Sequence, residues 1–275
     1  MSYNQTDAYD VDPHVAEVYD QIEAHTEDVA LLRRLLSGAG PLRILEPFCG
    51  TGRILIPLAQ DGHTLVGIDQ AAGMLERARQ KVAALPAEVQ ERLRLIRADV
   101  TAGPWPDGFN VVILGGNCFY ELATAEEQEG CIASAARALR PGGHLYLDNN
   151  HMEGELDESW RRPGVRHGVF PTGTCEDGTR VEGTSETIWF DAPGRLWRAR
   201  RTATLTYPDG TTLTKEWVQQ KHPVSVGEQR EWLARHGFVV ERLFGGRDGS
   251  PYTAESERAI FWAQRAAAPR PPTGS

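Results

Sequence analysis

From residue 43 onward, short runs of apolar residues alternate with longer stretches whose apolar positions recur every three or four residues. The short runs predict strands: "RILEPF" at 43–48, "TLVGID" at 64–69, "LRLIRAD" at 93–99, "GFNVVILGG" at 108–116 and "HLYLDNN" at 144–150. The longer stretches predict helices: "RILIPLAQDG" after Gly52, "AAGMLERARQKVAAL" at 71–85, and "AEEQEGCIASAARALRPGG" at 125–143, stopped by Pro-Gly-Gly. One further helix, 14–37, precedes the first strand. Several strands are apolar without interruption, as in a parallel sheet covered by helices on both faces.

The pattern changes after His151. Segments 180–190, 195–207 and 211–220 are rich in Thr, Trp, Val and Arg, alternate with a period near two, and are separated by "DAPG" and "PDG". They predict an antiparallel insertion, residues 151–225. A helix near 226–236 and strands at 238–245 and 257–264 follow. The expected organisation is one α/β domain over 1–265, closed by residues 226–265, with a disordered Pro- and Ala-rich tail at 266–275.

Composition narrows the function. The 275 residues are 40% hydrophobic and 24% charged, as in soluble globular proteins. No apolar run is long enough to span a membrane, and the polar, acidic start is unlike a signal peptide. The net charge of −9 argues against nucleic acid as a partner, since phosphate neutralisation needs a basic surface. Four scattered cysteines without metal spacing suit free thiols in a cytoplasmic protein with no bound metal.

Open parallel sheets bind ligands beyond the carboxyl ends of their strands, and the polar breaks in these apolar runs gather there. The first strand ends in Glu46 and the turn Gly50-Thr51-Gly52, the second in Asp69, and the third in Asp99. The fourth ends in "GNCFYE", 116–121, and the fifth in "DNNH", 148–151. Glycines let a ligand approach the backbone, and an acid after the second strand can hold ribose hydroxyls. Leu55 stands where a dinucleotide turn has its third glycine. Glu46 is a poor neighbour for pyrophosphate and a good one for a cationic amino group. A ribose, a base and an amino-acid portion without phosphate describe S-adenosylmethionine.

"LEPFCGTGR", "VGID", "RADV" and "LRPGGHLYLD" resemble, in order, the motifs of class I S-adenosylmethionine-dependent methyltransferases over roughly residues 15–150. The resemblance implies a Rossmann-like, seven-stranded, mostly parallel sheet, completed by "FVVERLFG" and "AIFWAQ", with 14–150 as the donor-binding core. Within the class, "LGGNCFYEL", "LRPGGHLYLDNNH" and "VAEVYDQI" are similar to small-molecule N-methyltransferases acting on glycine or amino sugars. The resemblance implies Glu46, Gly50, Gly52 and Arg53 around the methionine portion, and Asp69 and Gln70 at the ribose. It implies Asp99 and Val100 at the adenine, Tyr19 over the sulfur, and Asn117 near the methyl group.

Glu121 replaces the family's histidine, and Asn150 replaces the basic residue that holds a carboxylate in the glycine enzyme, which argues against glycine as acceptor. Glu121, Tyr120 and His151 are the candidates for proton removal, with Asn150 and Tyr120 facing the acceptor. Each also has a plain structural reading, Glu121 as a solvated residue before a helix and His151 as a hydrogen-bonded histidine. The run Arg195, Arg198, Arg200, Arg201 reads as a wet sheet face, and Trp189, Trp197 and Trp217 as packing or as a substrate wall. The expected function is methyl transfer to a small molecule, an amine or a natural-product intermediate, by a monomer or homodimer. The alternatives are O- or C-methylation, a nicotinamide oxidoreductase, and a silent methyl-donor binder.

Overall fold

A computed structural model of the chain describes residues 13–150, 162–164 and 166–266. Seven strands form the central sheet: β1 (Arg43–Pro47), β2 (Thr64–Asp69), β3 (Leu93–Arg97), β4 (Phe109–Leu114), β5 (Leu139–Asn150), β10 (Phe238–Phe244) and β11 (Arg258–Arg265). Their order is β10-β11-β5-β4-β1-β2-β3. All neighbours are parallel except β11, which is antiparallel to both β10 and β5. The order reverses between β1 and β4, which opens a crevice at their carboxyl ends.

Alternate residues of each strand feed two cores. Ile44, Val111, Ile113, Tyr146 and Trp262 face α2 (Glu27–Leu35) and α3 (Leu55–Gln60). Leu45, Val112, Leu114, Leu147 and Phe261 face α6 (Ala125–Ala138) and α7 (Val226–Arg235). Burial on both faces is why these strands read as unbroken apolar runs. Helix α4 (Ala72–Ala83) and the short α5 (Ala87–Gln90) link β2 to β3.

The expected helix over 14–37 is two helices, α1 (Pro13–Ile22) and α2, broken at 23–26. The break leaves the His25 carbonyl outside any helical ladder, and Arg53 Nη1 donates to it at 3.0 Å. At the other end of the core, Leu139–Gly143 is extended chain and not the end of α6. Pro141 cannot continue a helix, and Leu139 instead pairs with Phe109 ahead of a register shift.

The insertion is a four-stranded antiparallel meander: β6 (Arg166–Thr174), β7 (Arg180–Asp191), β8 (Leu196–Thr206) and β9 (Thr212–Lys221). Strand β6 is absent from the sequence expectation. It lies at a sheet edge, with Pro171 inside the register shift between Val169 and Gly173, so its alternation is broken. Among the described residues, no helix is long and apolar enough to cross a membrane.

Candidate active site

The chain leaves β1 through a coil of left-handed residues: Phe48 at φ 62°, Gly50 at 51° and Gly52 at 80°. Glycine adopts this conformation freely, whereas Phe48 does so at a cost of roughly 1–2 kcal/mol. Asp69 organises the coil, its Oδ2 accepting from Gly50 N at 2.8 Å and its Oδ1 from Ala71 N at 2.9 Å. Thr51 is buried and donates to Asp20 Oδ1 of α1 at 2.5 Å. Lys81 Nζ and Arg77 Nε of α4 reach the same carboxylate at 2.9 and 3.0 Å. Burial would raise the pKa of Asp20, but the bonds from Thr51, Lys81 and Arg77 outweigh it and lower it. Helix α1 is thereby latched across the glycine turn.

Glu46 is 4% exposed, and its Oε2 has no hydrogen-bond partner among the described residues. Burial lifts its carboxyl well above the usual range, against the opposing charge of Arg53. Arg53 forks onto Asp28, Nη1 to Oδ1 at 2.9 Å and Nη2 to Oδ2 at 2.6 Å. It also bonds Tyr19 of α1, whose phenol burial pushes up to about 12 although Arg53 opposes the shift.

The second half of the crevice is built on Asp148, a fully buried acid in β5. Arg247 Nε donates to its Oδ2 at 2.9 Å and Arg258 Nε to its Oδ1 at 2.7 Å. The same Arg258 donates to Asn150 Oδ1 at 2.8 Å and Asn117 Oδ1 at 2.9 Å. Asn117 has φ 63° and opens the 3-10 turn Cys118–Glu121. Within that turn the buried Tyr120 hydroxyl donates to the Asn150 carbonyl at 3.1 Å. Burial raises its pKa above that of an ordinary phenol, against the charges of Arg258 and Arg195.

The structure thus brings Tyr19, Glu46, Gly50, Gly52, Arg53 and Asp69 together, with Asn117, Tyr120 and Asn150 across the crevice. Gln70 is exposed, its carbonyl accepting from Arg97 Nε. Asp99 is exposed and holds the backbone and hydroxyl of Thr101, at 2.8 and 2.7 Å, as a turn cap. Val100 is buried beside Trp105, whose indole donates to the Val100 carbonyl. His151, residues 1–12 and the tail 267–275 lie outside the described residues, as does the side chain of Glu121. Asp28, Arg247 and Arg258 escaped the sequence reading. The one signal for them is Asp148 in an apolar strand, because a buried carboxylate demands a cation from somewhere.

These residues can be tested against the donor that the motifs suggest. A buried carboxyl oxygen without a partner suits an ammonium group and repels a pyrophosphate. At Gly50, whose φ is 51°, a Cβ would come within 3.2 Å of Met74 Cε, so both the backbone conformation and the packing favour glycine in the turn. The residues fit an adenosyl amino acid. Among the described residues, no group of three or more His, Cys, Asp or Glu is arranged to hold a metal ion.

Comparison with known proteins agrees. Residues 44–143 match the family model of a methyltransferase domain. The ubiquinone biosynthesis O-methyltransferase of Alkalilimnicola ehrlichii is 30% identical over 73% of this chain and 75% of its own length. The cypemycin N-terminal methyltransferase of a Streptomyces species is 24% identical over 92% of this chain and 97% of its own. S-adenosylmethionine-bound CalS10, an amino pentose methyltransferase from Micromonospora echinaspora, superposes with a TM-score of 0.62 at 21% identity, covering 90% of this chain and 97% of that one. These matches set aside a nicotinamide oxidoreductase. The chain belongs to the class I S-adenosylmethionine-dependent methyltransferases, and S-adenosylmethionine is its methyl donor.

Proposed function

We propose that the chain transfers the methyl group directly, in line, to a small molecule: an amine or a natural-product intermediate. The observation that carries this reading is the Glu46 carboxyl, buried beside the glycine turn with one oxygen unpartnered. A relative named for N-terminal methylation of cypemycin and a fold neighbour named for an amino pentose support nitrogen as the accepting atom.

The donor supplies a methyl group already activated by its positive sulfur. Glu46 takes the amino group of the methionine portion, Arg53 stays charged beside it, and Asp69 with Gln70 holds the ribose. Asp99 and Val100 border the adenine, Tyr19 covers the sulfur, and Asn117 stands near the methyl group. Holding two reactants in alignment can lower a barrier by about 7–11 kcal/mol. Tyr120 is a poor base, because its hydroxyl is buried and already donates to the Asn150 carbonyl. Removing a proton from the acceptor therefore falls to Glu121, His151 or water, and a side-chain base is worth roughly 10²–10⁴-fold.

Two measurements test the reading. Calorimetry with S-adenosylhomocysteine should give saturable heat, and labelled donor should pass its methyl to members of an amine panel. Heat without transfer to any amine, phenol or enol would leave a silent donor binder; no heat would remove the donor site itself. The 30% identical O-methyltransferase relative favours a second reading, transfer to oxygen. A phenol panel methylated faster than the amines would establish it. If Glu121→Gln keeps full turnover across pH, Glu121 is not the base.

A further inference from the structure

Arg258 starts β11 directly opposite Asn150, the last residue of β5, in an antiparallel register that also sets Ile260 against Asp148. Its side chain is 15% exposed, and its guanidinium is divided among three partners. Nε donates to Asp148 Oδ1 at 2.7 Å, Nη1 to Asn150 Oδ1 at 2.8 Å, and Nη2 to Asn117 Oδ1 at 2.9 Å. The Asn117 oxygen also accepts from Asn150 N at 2.9 Å. A guanidinium only donates, so the oxygen edge of each amide must face Arg258 and the nitrogen edge is turned away from it. Among the described residues, neither Asn117 Nδ2 nor Asn150 Nδ2 donates to any group.

These amides stand at the carboxyl tips of the strands beside β1. Asn150 ends β5, and Asn117 follows β4, which is β1's neighbour where the strand order reverses. Asn117 comes directly after Gly116, where a Cβ would lie 3.7 Å from Arg53 Nη2 of the glycine turn. Both asparagines are half-buried, whereas Asp148 and Asn149 just before the tip have no exposed surface. Asn117 also holds a left-handed backbone, φ 63°, which asparagine tolerates better than most residues. Arg247 Nε holds the second Asp148 oxygen at 2.9 Å, so Arg258 cannot swing away without leaving a buried carboxylate oxygen unpaired. The Tyr120 hydroxyl donates to the Asn150 carbonyl at 3.1 Å, which fixes that residue by its backbone as well as by its side chain.

We propose that Arg258 is a positioning residue, which presents the Asn117 and Asn150 amide N–H groups to the acceptor as a pair of hydrogen-bond donors. The inference rests on the reading of the chain as a small-molecule methyltransferase and deepens it by naming what the acceptor must carry. An attacking nitrogen has its lone pair committed to the methyl carbon, so two amide donors need a lone pair on another atom. The acceptor therefore bears a hydroxyl, ether or carbonyl oxygen beside its accepting atom. A site built to bond such an oxygen discriminates against the analogue without it, because its own polar groups then lose a partner. Arg258 touches no reactant and acts through the two amides, whose orientation a guanidinium fork sets and a point charge does not.

The test uses the full chain loaded with S-adenosylhomocysteine and calorimetry against matched amines with and without the oxygen. The pairs are phenylethanolamine with phenethylamine, and methoxyethylamine with butylamine. The variants are Asn117→Asp, Asn150→Asp and Arg258→Lys, each followed by thermal melts. Aspartate keeps an oxygen for Arg258 and removes the N–H at nearly the same size, so it separates the donor role from a structural one. In the parent, the oxygen-bearing member of at least one pair should bind at least about fivefold tighter than its partner. Each Asp variant should lose most of that preference while still melting cooperatively, and Arg258→Lys, which keeps the charge without the fork, should lose it too. Methyl transfer from labelled S-adenosylmethionine should follow the same preference. Equal binding within both pairs, or a preference that survives in all three variants, would overturn the inference and leave the methyltransferase reading in place. If S-adenosylhomocysteine loads but no amine binds or is methylated, the small-molecule reading beneath it falls and this inference falls with it.

Discussion

The two sheets handle charge in opposite ways. At the tips of the central sheet, Asp28 and Asp148 have no exposed surface, and their partners Arg53, Arg247 and Arg258 are 13–15% exposed. On the outward face of the insertion, Arg200 is 40% exposed and Glu216 is 56%. Buried carboxylates are tolerable only with well-placed cations, so the tips draw in arginines from the turn after β1 and from the β10–β11 segment. Exposed pairs gain little from one another and need no such recruitment. Distant parts of the chain therefore converge where charge is buried, and that convergence builds the crevice.

The largest effect should come from breaking a buried pair at the tips. Asp28→Ala leaves Arg53 uncompensated beside the glycine turn and should cost about 3–5 kcal/mol in urea unfolding. Next comes Glu46→Gln, which keeps the shape but loses the charge that meets an ammonium. S-adenosylhomocysteine affinity should fall about 10–100-fold by calorimetry.

Glu46 also sets a pH sign. Its carboxyl is raised in the ligand-free fold, so its contribution to stability is complete at acid pH and is lost as pH rises through the raised value. Thermal melts of the parent should decline over that rise, and Glu46→Gln should flatten the curve. A similar decline in the variant would show that another group is responsible.

A smaller effect belongs to the exit from the insertion. Ser225 caps α7, accepting from Glu228 N at 3.2 Å, while Glu228 returns bonds to Ser225 and to His222. Burial works against the Glu228 carboxylate, but those bonds, His222 first, hold it down to about 2. Ser225→Ala should cost about 1 kcal/mol in thermal unfolding. In the parent, the Glu228 contribution is complete above its ordinary pKa and disappears as pH falls towards 2. The smallest effect is expected of Arg200→Met, within about 0.5 kcal/mol by the same melts. A loss comparable to that of Asp28→Ala would erase the contrast between the two sheets.

The central sheet and the glycine turn were legible from the sequence because both are local in origin. Unbroken apolar runs such as "NVVIL" and "TLVGID" announce strands buried on both faces. Glu46 and Asp69 show as acids that interrupt apolar runs. Strand β6 was not legible, since Pro171 and its glycines hide any period, and the break between α1 and α2 was not either. Nothing within residues 23–26 demands that break; the Arg53 bond to the His25 carbonyl uses it.

By itself the sequence determined the fold class, the order of the central-sheet strands, and the gathering of glycines and acids at one edge. All of these follow from backbone conformation and side-chain periodicity over a few neighbouring residues. Tertiary structure alone decided that Arg247 and Arg258 would answer Asp148 and that Asp20 would latch α1 to Thr51. A buried charge or an unpartnered hydroxyl is satisfied by whatever group the fold brings within about 3 Å. Sequence separation says nothing about that distance.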